Sequence, residues 1–251
     1  MRNKIRLKLV SIYRRLFRNE FRKLAIQNGA MHISINRSMR KSFNQLWDSE
    51  VKIFSQCGED GILDYLCEVV GIAKPKSLEI GAGIFEECNT RFLSENRNGS
   101  LYAVDASSGL IENINKQDLM YRTHIQGSEQ WITTDNVSDI YRQAKTFMDG
   151  VDILSLDLDG NDYWLMCEIP FHEVKIIVVE YNPLFGHKNA ITVPIQNEFD
   201  RFKEHHSALY FGASLKAWIN LFQGKGFTFV GSNRIGNNAF FIANEYSQYL
   251  D

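Results

Sequence analysis

The residues best suited to chemistry stand at the ends of apolar runs. Ser77-Leu78-Glu79-Ile80-Gly81-Ala82-Gly83 has the pattern of a short buried strand passing into a glycine turn, with a carboxylate two residues before the first glycine. Asp105 closes the next such run, Leu101-Tyr102-Ala103-Val104. Glycine lets the backbone approach a ligand, and a carboxylate at a strand end accepts from ribose hydroxyls, so the pattern predicts a nucleoside pocket. Glu79, Gly81, Gly83 and Asp105 are its candidate binding residues.

A second group lies further along. Asp157 and Asp159 follow Val151-Asp152-Ile153-Leu154-Ser155-Leu156, and their spacing puts both on one face if the strand continues. Glu180 and Asn182 repeat that spacing after Val174-Lys175-Ile176-Ile177-Val178-Val179. In neighbouring strands, about 5 Å apart, three carboxylates and an amide would converge. Like charges so packed need a proton or a cation between them. A hard divalent ion, Mg²⁺ or Mn²⁺, suits Asp157, Asp159, Glu180 and Asn182 as oxygen ligands. The competing reading makes Asp159-Gly160-Asn161-Asp162 a polar turn with Asp162 capping the next helix. Two proton acceptors are expected: His187, in a loop that should overhang the site, and Asp159 as its rival. Tyr181, Phe185, Tyr210 and Trp218 suit a sugar-stacking wall or, one by one, ordinary core packing.

Charge discriminates between nucleosides. A dinucleotide site needs a third glycine so that the pyrophosphate can rest on a helix N-terminus, but three residues beyond Gly83 stand Glu86 and then Glu87. These acids would repel phosphates. S-adenosylmethionine has none, and its sulfonium and α-ammonium are cationic, so the acids favour it over NAD.

These residues must be positioned by alternating strands and helices. Strands are expected at 77–81, 101–105, 121–126, 151–156 and 174–179, and a terminal antiparallel hairpin at 227–230 and 239–242. Helices are expected at 59–70, from Asn89 or Thr90 onward, at 110–119, at 162–168, and at 214–224 capped by Ser214. Residues 183–207 are loop-like and long enough to suggest function. The fold class is α/β: a three-layer sandwich around a Rossmann-like, mostly parallel seven-stranded sheet with a C-terminal antiparallel hairpin.

With 251 residues and 44% hydrophobic content the chain can bury one substantial core. Residues 1–50 are expected to be a basic helical N-terminal segment and 51–251 the catalytic domain. Residues 1–23 hold nine Lys or Arg and one Glu, +8 locally, which leaves −10 for the rest of a chain of formal charge −2. Ile5, Leu9, Ile12 and Leu16 recur at helical spacing, as in a basic amphipathic helix that rests on anionic lipid, on an acidic partner or on its own domain. The acidic remainder offers no case for nucleic-acid binding. Cys57, Cys67, Cys88 and Cys167 lack a CxxC pair or zinc spacing, which suits reduced thiols in a cytoplasm, at the inner membrane face if the basic segment holds it there.

The run Glu79 to Gly83 followed by Asp105 resembles the first two motifs of class I S-adenosylmethionine-dependent methyltransferases. Residues 52–243 are also similar to the FkbM-related branch, whose members often modify sugars, through Phe54-Ser55-Gln56-Cys57-Gly58-Glu59-Asp60-Gly61-Ile62-Leu63, Asn89-Thr90, Leu156-Asp157-Leu158-Asp159-Gly160 and Val179-Glu180-Tyr181-Asn182-Pro183. Ile84-Phe85 stands where that branch commonly has Asp-Gly. The resemblance implies that the glycine turn holds the methionine moiety, Asp105 the ribose, and that Gln56 and Glu59 close over the donor; Asp157 is counted with the donor-binding residues as well as with the metal ligands. A metal at these two strand ends is similar to the catechol-type O-methyltransferases. The implied activity is O-methylation of a sugar or nucleotide-linked sugar, in surface polysaccharide assembly, by a chain that is a monomer or a homo-oligomer. An NAD-dependent oxidoreductase and a non-catalytic protein that retains the pocket are the alternatives.

Overall fold

The computed structural model describes residues 20, 23–39, 43–116, 123–196 and 198–249. The expected helix around Ile5 to Leu16 lies outside them. Seven strands form one sheet: β1 (Lys76–Ile80), β2 (Ser100–Asp105), β3 (His124–Glu129), β4 (Ile153–Leu156), β5 (Ile176–Glu180), β6 (Phe227–Ser232) and β7 (Asn238–Ala243). Their order is β3-β2-β1-β4-β5-β7-β6, parallel except for β7, which runs antiparallel to both β5 and β6. The order reverses direction between β1 and β4, and the carboxyl ends of those strands open a crevice there, where such sheets take ligands.

The continuous apolar runs are explained by burial on both faces. Along β5, Ile177 and Val179 enter one core with Leu78, Ile80, Val104, Leu154 and Leu156, while Ile176 and Val178 enter a second with Ile153, Phe240 and Ile242. Alternate side chains thus serve opposite layers, and no position on the strand can be polar until the strand ends.

Helices cover both faces: α1 (23–39), α2 (Glu59–Val70), α3 (Arg91–Asn96), α4 (Leu110–Asn115), α5 (Val137–Met148), α6 (Asp162–Glu168), α7 (Arg201–Glu204) and α8 (Leu215–Gly224). Helices α2 and α6 have the bounds that periodicity predicts. Ser214 caps α8 by accepting from the Ala217 N–H. Strand β3 begins three residues later than expected. Helix α5 went unanticipated, although Val137, Ile140, Tyr141, Ala144 and Met148 are its buried stripe. Residues 23–39 and 43–50 contact the body: Arg37 pairs with Asp64 of α2 at 3.1 Å, and Leu46 lies against the α2 core.

Candidate functional site

The turn after β1 is built around contacts that tolerate no side chain. Gly81 has φ +94°, and a Cβ there would lie 1.7 Å from the carbonyl oxygen of Asp157. The β1 and β4 ends touch at this point, with the Asp157 N–H donating to the Ile80 carbonyl at 3.0 Å. Gly83, at φ +53°, donates its N–H to Asp105 Oδ2 at 2.8 Å. Asp105 Oδ1 accepts from the Ser107 N–H at 2.7 Å, so two backbone donors orient this carboxylate at the crevice edge.

Glu79 faces the crevice but is held by the chain itself. It is buried and accepts from the N–H groups of Asn89 at 2.7 Å and Thr90 at 2.8 Å, and from the Thr90 hydroxyl. Thr90 precedes α3, yet its side chain turns to Glu79 and leaves its own helix uncapped. Burial raises the Glu79 carboxyl to about 6 against these hydrogen bonds, which favour the charged form. Glu79 thus positions the loop from the turn to α3, and it fills the helix start that a pyrophosphate would need.

The segment before α2 straps across the opening. Asp60 Oδ2 accepts from the N–H groups of Ile53, Phe54 and Ser55 and from the Ser55 hydroxyl. Burial raises this carboxyl to about 6 as well. Gln56 reaches from the strap to Glu87 Oε2 at 2.9 Å, joining two walls of the cleft. Glu59 does something else. Fully buried, it accepts from the Cys57 N–H at 2.8 Å, Asn233 Nδ2 at 2.7 Å and Asn238 Nδ2 at 2.8 Å. It ties the strap to the C-terminal hairpin and does not line the cleft, whose wall there is Asn238.

The cleft has a volume of about 700 Å³. Six carboxylates line it, those of Glu79, Glu86, Glu87, Asp105, Asp157 and Asp159, and no Lys, Arg or His does among the described residues. Trp131 and Phe199 supply apolar surface. A second hollow of about 590 Å³ adjoins it and shares Trp131, Leu158, Asp159 and Phe199; Arg201, Phe202 and Lys203 line its far side.

Asp157, Asp159 and Glu180 come together as expected, each offering an oxygen within 4.8 Å of the others. One step beyond the Leu156–Val179 pairing, Asp157 falls beside Glu180. Asp159 arrives by another route than strand alternation. Strand β4 ends at Leu156, and Asp159 adopts φ +58° in a turn closed by Asp162, which accepts from the N–H groups of Leu158 and Gly160 at 2.7 Å. Asp162 therefore organises the acidic turn, while Asn161 occupies the cap position of α6. Burial and the neighbouring carboxylates raise Asp157 well above the carboxylate range and Glu180 to about 10. Glu180 Oε2 is buried without a hydrogen-bond partner. The counter-charge present is Arg201, whose Nη1 pairs with Asp159 Oδ1.

Two expected residues leave the site. Asn182 is buried, donates to the carbonyls of Leu209 at 2.9 Å and Phe211 at 3.1 Å, and accepts from the Leu184 N–H at 3.1 Å. Its amide is thereby spent on fastening two loops and is not a metal ligand. His187 is exposed and lines neither hollow, because the turn at Pro183–Phe185 sends the chain outward. Of the aromatic candidates, Trp218 is a core residue whose Nε1 donates to the Glu180 carbonyl at 2.9 Å, and Tyr181 is buried; Phe185 and Tyr210 form an edge-on pair with centroids 6.4 Å apart. The unanticipated residues are Trp131, Asn238, Phe199 and Arg201. Only the last two had a signal, their place in the long segment 183–207.

No protein-family model and no curated protein matches the chain. Solved structures do. A putative sarcosine dimethylglycine methyltransferase from Galdieria sulphuraria overlaps 74% of this chain and 85% of its own, at 10% identity and TM-score 0.44. A SAM-dependent methyltransferase from Anabaena variabilis overlaps 85% and 93%, at 11% identity and TM-score 0.40. One from Aquifex aeolicus overlaps 72% and 89%, at 12% identity and TM-score 0.35.

Proposed function

We propose that the chain transfers a methyl group from S-adenosylmethionine to a hydroxyl of a sugar or nucleotide-linked sugar. One observation carries the donor: a cleft lined by six acidic residues and, among the described residues, by no Lys, Arg or His, at the switch point of the sheet, suits a cationic nucleoside and disfavours a phosphate chain. The Gly81–Gly83 turn would take the methionine end and Asp105 the ribose. The acceptor would enter from the adjoining hollow, where Trp131 and Phe199 offer flat apolar faces on the shared wall. The oxygen attacks the methyl carbon, the carbon–sulfur bond breaks toward S-adenosylhomocysteine, and the hydroxyl proton leaves to a base. In the metal-free site Asp159, the acid common to both hollows, takes that role in place of His187.

The three clustered carboxylates, with a buried unpartnered oxygen on Glu180, fit Mg²⁺ or Mn²⁺. Asp157, Asp159 and Glu180 would hold the ion, which when bound supplies Lewis acidity toward the acceptor hydroxyl. Mass spectrometry of sugar nucleotides incubated with the chain and S-adenosylmethionine tests the reading. It expects a product heavier by one methylene; donor consumed without such a product on any sugar would refute the acceptor class.

A further inference from the structure

Two buried polar atoms beside the acidic turn lack a hydrogen-bond partner, and they are of opposite kind. One is an acceptor, Glu180 Oε2; the other is a donor, Arg201 Nε. Their residues flank Asp159. Glu180 shares the three-carboxylate cluster with it, and Arg201 Nη1 pairs with its Oδ1. Among the described residues, Asp159 is the one member of the cluster with a basic partner. A buried donor and a buried acceptor left unmatched on either side of one ion pair are both costly. The arrangement suits one of two states, the other of which satisfies both atoms.

Arg201 is placed to move. It opens α7, a helix of only four residues, and its Cζ lies 5.2 Å from the centre of the Phe202 ring and 5.1 Å from that of Phe211. Contacts with ring faces attract a guanidinium without fixing its direction as a hydrogen bond does. The side chain also lines the adjoining hollow of about 590 Å³, which gives it somewhere to go. A divalent ion on the cluster would draw on Asp159 and stand close to the guanidinium, and the two like charges repel. The contest is unequal, because the ion carries twice the charge and reaches three carboxylates where Arg201 pairs with one.

We propose that Arg201 is a stand-in cation, which neutralises Asp159 in the metal-free chain and is displaced into the adjoining hollow by Mg²⁺ or Mn²⁺. The ion satisfies Glu180 Oε2, and water in the hollow satisfies Arg201 Nε. The acceptor hollow then presents a free guanidinium only in the metal-loaded chain, so the two sites are coupled. The inference rests on the metal reading of the cluster and is independent of the acceptor's identity.

The test pairs calorimetric titration of the full chain with Mn²⁺ and peptide mapping of its phenylglyoxal adducts. R201Q should bind Mn²⁺ about tenfold more tightly, having lost the competing charge. R201K, which keeps that charge, should stay within about threefold of the unsubstituted chain. In the unsubstituted chain, saturating Mn²⁺ should speed the labelling of Arg201 about fivefold. Labelling of Arg97, buried in its pair with Asp64, should not change. Mn²⁺ binding in R201Q that is equal or weaker, or Arg201 labelling that Mn²⁺ leaves unchanged or slows, overturns the inference while the metal reading stands. No Mn²⁺ heat from either the unsubstituted chain or R201Q removes the metal from the cluster, and the inference with it.

Discussion

Glu79 and Thr90 lie eleven positions apart in the sequence, and they meet where β1 hands over to α3, the Thr90 N–H donating to Glu79 Oε2 at 2.8 Å. With the Asn89 N–H on the other oxygen, the protein's own carboxylate occupies the start of the helix. In a phosphate-binding turn those donors face the ligand. Here they are used, and the adjoining wall is acidic. In the proposed function, the selection of ligand charge begins with this internal hydrogen bond.

The same contact predicts a pH dependence. A carboxyl raised from 4.5 to about 6 on folding binds its proton more tightly in the native state. Its contribution is therefore fully present below pH 4.5 and declines as pH rises through about 6. E79Q removes this titration. Its unfolding free energy relative to the unsubstituted chain, from urea titrations, should rise by about 2 kcal/mol between acid and neutral pH. A difference that does not vary with pH would mean Glu79 titrates normally.

Much of this architecture was legible because burial on both faces writes apolar runs directly into the sequence, as in Ile176 to Val179. Glu79, Asp105, Asp157 and Glu180 were legible for the complementary reason: a carboxylate that ends such a run is conspicuous. What could not be read was direction. Nothing local tells that Glu59 and Asn182 turn inward to bind loops, or that Arg201, 42 positions on, returns to pair with Asp159. These are long-range contacts set by loop paths. Helix α5 is a different case: its buried stripe, Val137, Ile140, Tyr141, Ala144 and Met148, stands in the sequence at helical spacing.

Gly81 should admit no substitution. Its positive φ, and a Cβ position 1.7 Å from a backbone oxygen, leave the β1 and β4 ends no way to remain in contact. G81A should cost about 3 kcal/mol in urea unfolding and abolish donor binding. Stability within error of the unsubstituted chain would show that the two strand ends separate easily.

The acidic cluster makes a paired prediction. Glu180 does not line the donor cleft, so E180Q should leave the S-adenosylmethionine dissociation constant within about threefold while removing Mn²⁺ binding in calorimetry. It should also raise the stability of the metal-free chain at neutral pH by about 1 kcal/mol or more, because Glu180, raised to about 10, must take up a proton on folding and Gln need not. Unchanged Mn²⁺ heats in E180Q would place the ion elsewhere.

The candidate bases separate by position. H187A should retain methyl transfer within about twofold, because His187 is exposed and outside both hollows. D159N should lower kcat about a hundredfold, with donor affinity largely kept. A collapse of kcat in H187A with D159N active would return the role to the histidine.

The central claim concerns which charge the cleft was built to receive, and parallel calorimetric titrations of the chain with S-adenosylmethionine and with NADH test it most directly. Saturable one-site heat with S-adenosylmethionine and none with NADH is the predicted result. NADH binding with no heat from S-adenosylmethionine would contradict it.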